Sequence, residues 1–183
     1  MGFSSGWEVP LWFAESGYEA TYEPSFFRTN WQKQQLREYQ LITNKVAVAD
    51  LSSFGKFRLT GHDARKLLDI ATANNVPRPG RTVLSHMLTS TGKVSIVMSS
   101  KSPALVCVQV YSELTVTCLD DEDSFLILTG GGSELHDLRR LQDIARQRHL
   151  EVDLENVSED YGVITIVGPD SRNVMKKICD QVI

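Results

Sequence analysis

The chain of 183 residues has a formal net charge of -4, with 42% hydrophobic and 23% charged residues, a composition typical of one soluble globular domain or slightly more. Because positive charge is neither in excess nor clustered, a nucleic-acid partner is disfavoured. No apolar run approaches the roughly 20 residues that cross a bilayer, and the first residues lack an export signal, so we expect no membrane partner.

The first segment, 6–31, is rich in aromatic residues and turn formers and has no helical or strand period. It predicts an extended arm whose rings pack on another surface. A stacking platform for bases is the alternative interpretation of Trp7, Trp12 and Trp31, and the charge balance disfavours it.

Beyond the arm, apolar periodicity predicts helices mixed with largely antiparallel strands. The predicted strands span 46–49, 54–60, 83–88, 111–118, 125–129, 150–157 and 163–167. Predicted helices span 32–44, a segment after Thr60 or Asp63, 133–148, and a segment that begins near Asp170 after the Gly168-Pro169 turn. The fold class is therefore α+β, since the strand and helix alternation of a doubly wound sheet is missing.

Two helices carry a predicted core face. The second, capped by Thr60 or Asp63, directs inward Ala64, Leu67, Leu68 and Ala71. The third, capped by Ser133, directs inward Leu135, Leu138, Leu141, Ile144 and Ala145. In the last helix Val174, Ile178 and Val182 form an apolar face without a visible partner, which indicates that more chain belongs to the domain.

Motifs for common chemistry do not appear in the sequence. The glycines at 130–132 follow a predicted strand, but Leu135 occupies the position of the last glycine in a GxGxxG motif and no P-loop lysine follows, so a plain turn is predicted. The four histidines and Cys107, Cys118 and Cys179 have no metal-ligand spacing. We expect no metal site, no disulfide framework and a reducing compartment.

Several ordered blocks nevertheless resemble the dimethylglycine dehydrogenase family. They are GWE at 6–8, Pro10, Trp12, Phe13, Tyr22, Pro24 to Phe26, RTNW at 28–31, AVADLSSFGKF at 47–57, Ala73-Asn74, Pro77, Gly80, SHMLT at 85–89 and GGGSELHDLR at 130–139. The resemblance is to the N-terminal part of that family's folate-binding region, which is similar to the GcvT aminomethyltransferase. It implies a GcvT-like, mixed and largely antiparallel sheet with packed helices.

The resemblance also implies a function. In the family an FAD-containing part oxidises an N-methyl amine, and tetrahydrofolate captures the one-carbon unit as 5,10-methylenetetrahydrofolate in the mitochondrion. By this comparison residues 1–31 form the arm at the junction with an absent upstream FAD domain, and 32–183 form the N-terminal part of the folate domain. We expect the second half of that domain to be missing and the fragment to be inactive alone.

The segment YSELTV at 111–116 resembles the family's folate-contacting strand. The implied folate contacts are Tyr111, Glu113, Leu114 and Thr115, and Glu113 aligns with the acidic residue that serves catalysis. Glycine-cleavage members usually carry Asp there, whereas dimethylglycine dehydrogenases can carry Glu. A carboxylate at this position can orient folate nitrogens and accept a proton.

Two other interpretations remain. A non-enzymatic relative, such as the pyruvate dehydrogenase phosphatase regulatory subunit, shares the two-part architecture, but GKF at 55–57 and GSELHDLR at 132–139 favour the dehydrogenase side. A stand-alone aminomethyltransferase is disfavoured by the aromatic arm.

One segment departs from the family pattern. Residues 95–110 (SIVMSSKSPALVCVQV) separate two blocks that are nearly contiguous in the family, and the segment is mostly apolar. A retained intron, an error in the gene model and a lineage-specific insertion would each produce it.

We expect deletion of 95–110 to join Val94 to Tyr111 and to raise stability or solubility. The apolar residues of the segment have no assigned place in a family core, and exposed segments of this composition promote association. Thermal unfolding and light scattering of the deletion variant provide the test. A lower melting temperature with unchanged aggregation would contradict the prediction.

Overall fold

The computed structural model describes residues 1–4, 6–19, 21–88 and 110–179, with Ser4, Val110 and Tyr111 described by backbone alone. Within these residues the chain forms two compact units. One comprises Phe54–Tyr161, and the other comprises the described parts of Met1–Ser53 and Gly162–Ile183. The insertion predicted at 95–110 lies outside the described residues, apart from the backbone of Val110.

From α1 onward, the described helices and strands follow one another in the order that the sequence predicts. The strands are β1 (Gly2–Ser4), β2 (Trp7–Val9), β3 (Ala47–Asp50), β4 (Gly55–Thr60), β5 (Thr82–Leu88), β6 (Val110–Cys118), β7 (Ser124–Thr129), β8 (Asp153–Asn156) and β9 (Ile164–Val167). The helices are α1 (Gln32–Asn44), α2 (Ala64–Ala71), α3 (Glu134–Gln147) and α4 (Ser171–Ile178), and a 3-10 turn spans Gly131–Ser133.

The larger unit contains a five-stranded antiparallel sheet in the order β5-β6-β7-β4-β8. Because side chains alternate between the two faces of a strand, each strand contributes every second residue to the core. In β7, for example, Phe125, Ile127 and Thr129 are buried while the residues between them are half-buried. β6 lies between β5 and β7, so both of its edges are paired.

Helices α2 and α3 contribute to one core cluster on a single face of this sheet. The buried members are Phe57, Leu59, Ala64, Leu67, Leu68, Ala71, Met87, Leu114, Val116, Cys118, Phe125, Ile127, Leu141 and Ile144. All four residues of the predicted α2 stripe are buried. The expected α+β class, with a largely antiparallel sheet and packed helices, is therefore confirmed.

The prediction for α3 is only partly correct. Leu141 and Ile144 are buried, and Leu138 and Ala145 pack against the cluster. Leu135 was expected inward but is 62% exposed. The inward position in the first turn is taken by Asp137, which is fully buried and lies four residues before Leu141, one helical turn away.

The predicted helix caps occupy the expected positions but do not bond as caps. Asp63 and Ser133 precede α2 and α3, yet neither makes a side-chain cap hydrogen bond. Asp63 Oδ2 instead accepts a bond from the Glu151 backbone N-H at 2.9 Å. Asp63 therefore ties the start of α2 to the segment before β8.

The smaller unit contains two short sheets, α1 and α4. β1 pairs with β2 as a hairpin that the sequence did not predict within the arm, and β3 pairs with β9 antiparallel. Gly168 has φ +125, and a Cβ there would lie 2.4 Å from the Lys45 carbonyl oxygen, so the predicted turn requires glycine. Val174 is half-buried and Ile178 exposed, while Val182 lies outside the described residues.

We expect Leu141→Ala to lower the free energy of unfolding by about 2–5 kcal/mol, because the leucine is buried between α3 and the sheet. Leu135→Ala on the same helix is the matched control, with an expected change within about 0.5 kcal/mol because the side chain is exposed. Denaturant unfolding of both variants provides the measurement. Equal losses in the two variants would show that the assignment of the buried face is wrong.

Candidate functional site

Glu113 lies in β6 on the sheet face that points away from the core cluster. Its neighbours Ser112 and Leu114 point toward the core side, and Leu114 is completely buried. Alternation along the strand therefore directs Glu113 outward, and its side chain is 61% exposed. The strand prediction for 111–118 is confirmed, since β6 covers it.

The partner of Glu113 is His86 on the neighbouring strand. The two residues are directly opposite in the β5–β6 register, and His86 Nε2 lies 3.4 Å from Glu113 Oε2. The pair is charged on both sides only when the imidazole is protonated. Because both side chains are substantially exposed, the pair contributes at most about 1 kcal/mol, and its main effect is to orient the carboxylate.

The other residues of the predicted contact strand fall on different faces. Thr115 lies on the same face as Glu113 and is half-buried. Leu114 is held in the core, so its side chain points away from that face. The side chain of Tyr111 lies outside the described atoms. We therefore find Glu113 and Thr115 together, with Leu114 beneath them.

A cross-strand row extends the face beside Glu113. Thr115 pairs with Leu84 on one side and with Leu128 on the other, and Leu128 pairs with Lys56. Leu84 is 51% exposed. The row therefore offers apolar contact area next to a carboxylate and a histidine.

Lys56, at the end of this row, is almost completely buried. Its Nζ donates a hydrogen bond to the Tyr161 carbonyl oxygen at 2.8 Å, and its backbone N-H donates to Ser158 Oγ at 2.9 Å. A buried ammonium requires hydrogen-bond partners to offset the loss of hydration. Lys56 therefore joins β4 to the segment that follows β8.

A buried carboxylate lies on the opposite, core side of the sheet. Asp137 Oδ2 accepts hydrogen bonds from three hydroxyls: Ser112 Oγ at 2.6 Å, Ser133 Oγ at 2.9 Å, and Thr129 Oγ1. Its other oxygen, Oδ1, lies 3.1 Å from His136 Nδ1. The carboxylate thus joins β6, β7 and the first turn of α3.

The sequence interpretation missed Asp137 and Lys56. A signal for Asp137 was present, because the residue occupies the apolar stripe of α3 one turn before Leu141. Lys56 carried no comparable signal, since a lysine that alternates with apolar residues in a strand is normally exposed.

Cys118 ends β6 on the core side and is fully buried. Its Sγ lies 3.3 Å from the Asp121 carbonyl oxygen and 3.7 Å from the Arg65 guanidinium. Burial raises the pKa of the Cys118 thiol, and the nearby positive charge of Arg65 opposes the rise only in part. The side chain is therefore a packed thiol and not a nucleophile.

Among the residues that the structure describes, no group of three or more His, Cys, Asp or Glu side chains could hold a metal ion. In the same part of the chain no helix has both the length and the apolar character needed to cross a membrane.

A family model described as the GCVT N-terminal domain matches residues 1–98 and 107–183. The chain belongs to this family. The match includes both strands that carry the His86–Glu113 pair. The unmatched residues between its two parts lie within the segment 95–110 that sequence analysis identified as an insertion, and outside the described residues.

Named relatives of this GCVT domain include mitochondrial dimethylglycine dehydrogenases. The chain is 41% identical to the Homo sapiens protein and 40% identical to the Mus musculus protein, each over 99% of the chain but only 19% of the relative. It is also 26% identical to Homo sapiens mitochondrial sarcosine dehydrogenase over 96% of the chain and 21% of that protein. The chain thus spans about a fifth of the length of these relatives.

A solved structure supports the fold independently. The glycine cleavage system aminomethyltransferase T from Bartonella henselae superposes with a TM-score of 0.68 and 16% identity, over 96% of the chain and 38% of that protein. The predicted resemblance to the dimethylglycine dehydrogenase family and to GcvT is confirmed. The named relatives give no support to the regulatory-subunit alternative.

We expect Cys118 to react with iodoacetamide at pH 8 at least about tenfold more slowly than Cys179, because a buried thiol with a raised pKa is both inaccessible and protonated. Peptide mass spectrometry of the native chain measures the two rates separately. An unfolded sample is the control, and in it the two cysteines should react at similar rates. Equal rates in the native chain would contradict the buried, protonated state of Cys118.

Proposed function

We propose that this chain is part of a dimethylglycine dehydrogenase-type protein and that the sheet face around Glu113 binds tetrahydrofolate. The observation that carries the proposal is the exposed Glu113 carboxylate, oriented by His86 on a central strand of a GCVT domain. The named dehydrogenase relatives support this choice of ligand class through the family resemblance.

The chemistry of the face suits a folate ring. Pterin nitrogens carry N-H groups that donate to a carboxylate, and a charge-assisted bond of this kind is stronger than a neutral one. Leu84 and Leu128 flank Thr115 in the same row, so an aromatic ring could lie against apolar side chains while its edge meets Glu113. The residues present therefore fit the ligand.

Each member of the proposed contact set has a distinct role. Glu113 orients a ring nitrogen and accepts a proton as that nitrogen changes its charge. Thr115 and Tyr111 are proposed to contact the ligand beside Glu113. Leu114 acts from the core side, where its burial holds the strand in register.

In the complete protein tetrahydrofolate would accept the one-carbon unit from oxidation of an N-methyl amine, which gives 5,10-methylenetetrahydrofolate. We further propose that residues 1–31 adjoin an FAD domain and that 32–183 form the N-terminal part of the folate domain. We also propose that the protein is mitochondrial, which is the location that the names of its relatives give for those proteins.

Glu113→Gln should weaken tetrahydrofolate binding by roughly one to two powers of ten, because a hydrogen bond to a charged group contributes about 1.5–3 kcal/mol. Calorimetric titration under anaerobic conditions measures both affinities. The matched control is Glu155→Gln, an exposed carboxylate in β8 that lies three strands from β6, or about 14 Å.

The control should bind within about twofold of the unchanged chain, since its substitution removes a similar charge far from the site. Equal, measurable affinity in all three proteins would remove Glu113 from the site. A lack of binding by the unchanged chain up to about 1 mM ligand would contradict the assignment of this face as a sufficient site.

A further inference from the structure

The backbone next to Glu113 is linked to a buried charge. Ser112, the residue before Glu113, points to the core side and donates a 2.6 Å hydrogen bond to Asp137 Oδ2. Asp137 has no exposed surface. Consecutive residues of a strand point to opposite faces and share the backbone between them. A hydrogen bond that fixes one residue therefore limits the movement of the next.

The same carboxylate oxygen also binds the adjacent strand. Thr129 Oγ1 on β7 donates to Asp137 Oδ2, and Thr129 is the register partner of Leu114, the residue after Glu113. The residues on both sides of Glu113 are therefore connected to one charge, directly through Ser112 and across the ladder through Thr129. Hydrogen bonds to an ionised acceptor are among the stronger ones in proteins.

We infer that Asp137 is a positioning residue for Glu113, which acts through the Ser112 hydroxyl to fix β6 beneath the ligand face. The inference rests on the proposed function of Glu113. Asp137 itself lies on the other side of the sheet and does not touch the ligand. An apolar residue in the same place of the α3 stripe would pack without any desolvation cost, which makes the Asp137 carboxyl group a candidate for a role beyond packing.

Two serines allow a matched comparison. Ser112 and Ser133 each donate one hydrogen bond to Asp137 Oδ2, at 2.6 and 2.9 Å. Ser112 belongs to β6, whereas Ser133 precedes α3, and the Gly130 carbonyl oxygen, 3.0 Å from Ser133 Oγ, is a second acceptor for the same hydroxyl proton. Ser112→Ala breaks the link to the Glu113 strand, and Ser133→Ala removes a second hydroxyl beside Asp137 that does not belong to that strand.

The first measurement is hydrogen exchange, which needs no ligand. We expect Ser112→Ala to accelerate exchange in a peptide covering β6 by roughly tenfold, while a peptide covering β4 changes by less than about twofold. Ser133→Ala should leave β6 unchanged relative to β4. A uniform acceleration of both strands in Ser112→Ala would overturn the inference, because it would reveal a merely structural role.

The second measurement is tetrahydrofolate affinity in a double-mutant cycle. Ser112→Ala should weaken tetrahydrofolate binding by roughly fivefold, and Ser133→Ala by less than twofold. Ser112→Thr keeps the hydroxyl, so its affinity should match that of the unchanged chain. In the Glu113→Gln background Ser112→Ala should add no further loss. An additive loss would overturn the inference. If Ser112→Ala does not fold, Ser112→Cys, with its weak donor, takes its place.

The two measurements test folate binding by the Glu113 face and the positioning role of Asp137 separately. A chain that does not bind tetrahydrofolate contradicts the assignment of the Glu113 face as a sufficient site, whereas the exchange pattern of β6 and β4 still decides whether Asp137 fixes the strand.

Discussion

The alternation of side chains along β6 is the constraint on which the site depends. Both edges of this strand are paired, so its rotation about its own axis is fixed by two ladders at once. Leu114 is consequently buried in the core while Glu113 projects from the other face. A shift of one residue in register would exchange the two, burying a carboxylate and exposing a leucine. The energetic penalty of that exchange makes the position of Glu113 a property of the whole sheet.

Buried polar groups also restrict the arrangement that the strands can adopt. Asp137 is costly to bury, but three hydroxyl donors offset the lost hydration. Lys56 meets the same requirement by donating to the Tyr161 carbonyl oxygen. Apolar contacts tolerate small displacements, whereas these hydrogen bonds require particular distances and directions. The polar groups therefore define the arrangement of strands that the hydrophobic core stabilises.

Much of the fold could be predicted because the signals were local. Periodicity located α2 and all four of its buried residues, and strand alternation located β6 and β7. The failures concern partners that are distant in sequence. Leu135 was placed inward because it is apolar, but Asp137 takes the inward position once its donors on β6 and β7 are present. For the site, resemblance indicated Glu113, whereas His86 became its partner only through the β5–β6 register.

The exposure of Glu113 affects how strongly the proposed site would bind folate. In water, a charge at hydrogen-bond distance from a ligand gains little energy, because the solvent competes for both groups. On the open face of this sheet Glu113 is 61% exposed, so the charge-assisted hydrogen bond that we propose to folate reaches its full strength only where the ligand covers the carboxylate. A second protein surface over the same ligand would exclude water and strengthen the interaction. The dehydrogenase relatives, of which this chain spans 19%, have ample further chain for such a surface. Under the proposed function, orientation of the ligand by β6 and the added affinity from enclosure are thus separable contributions.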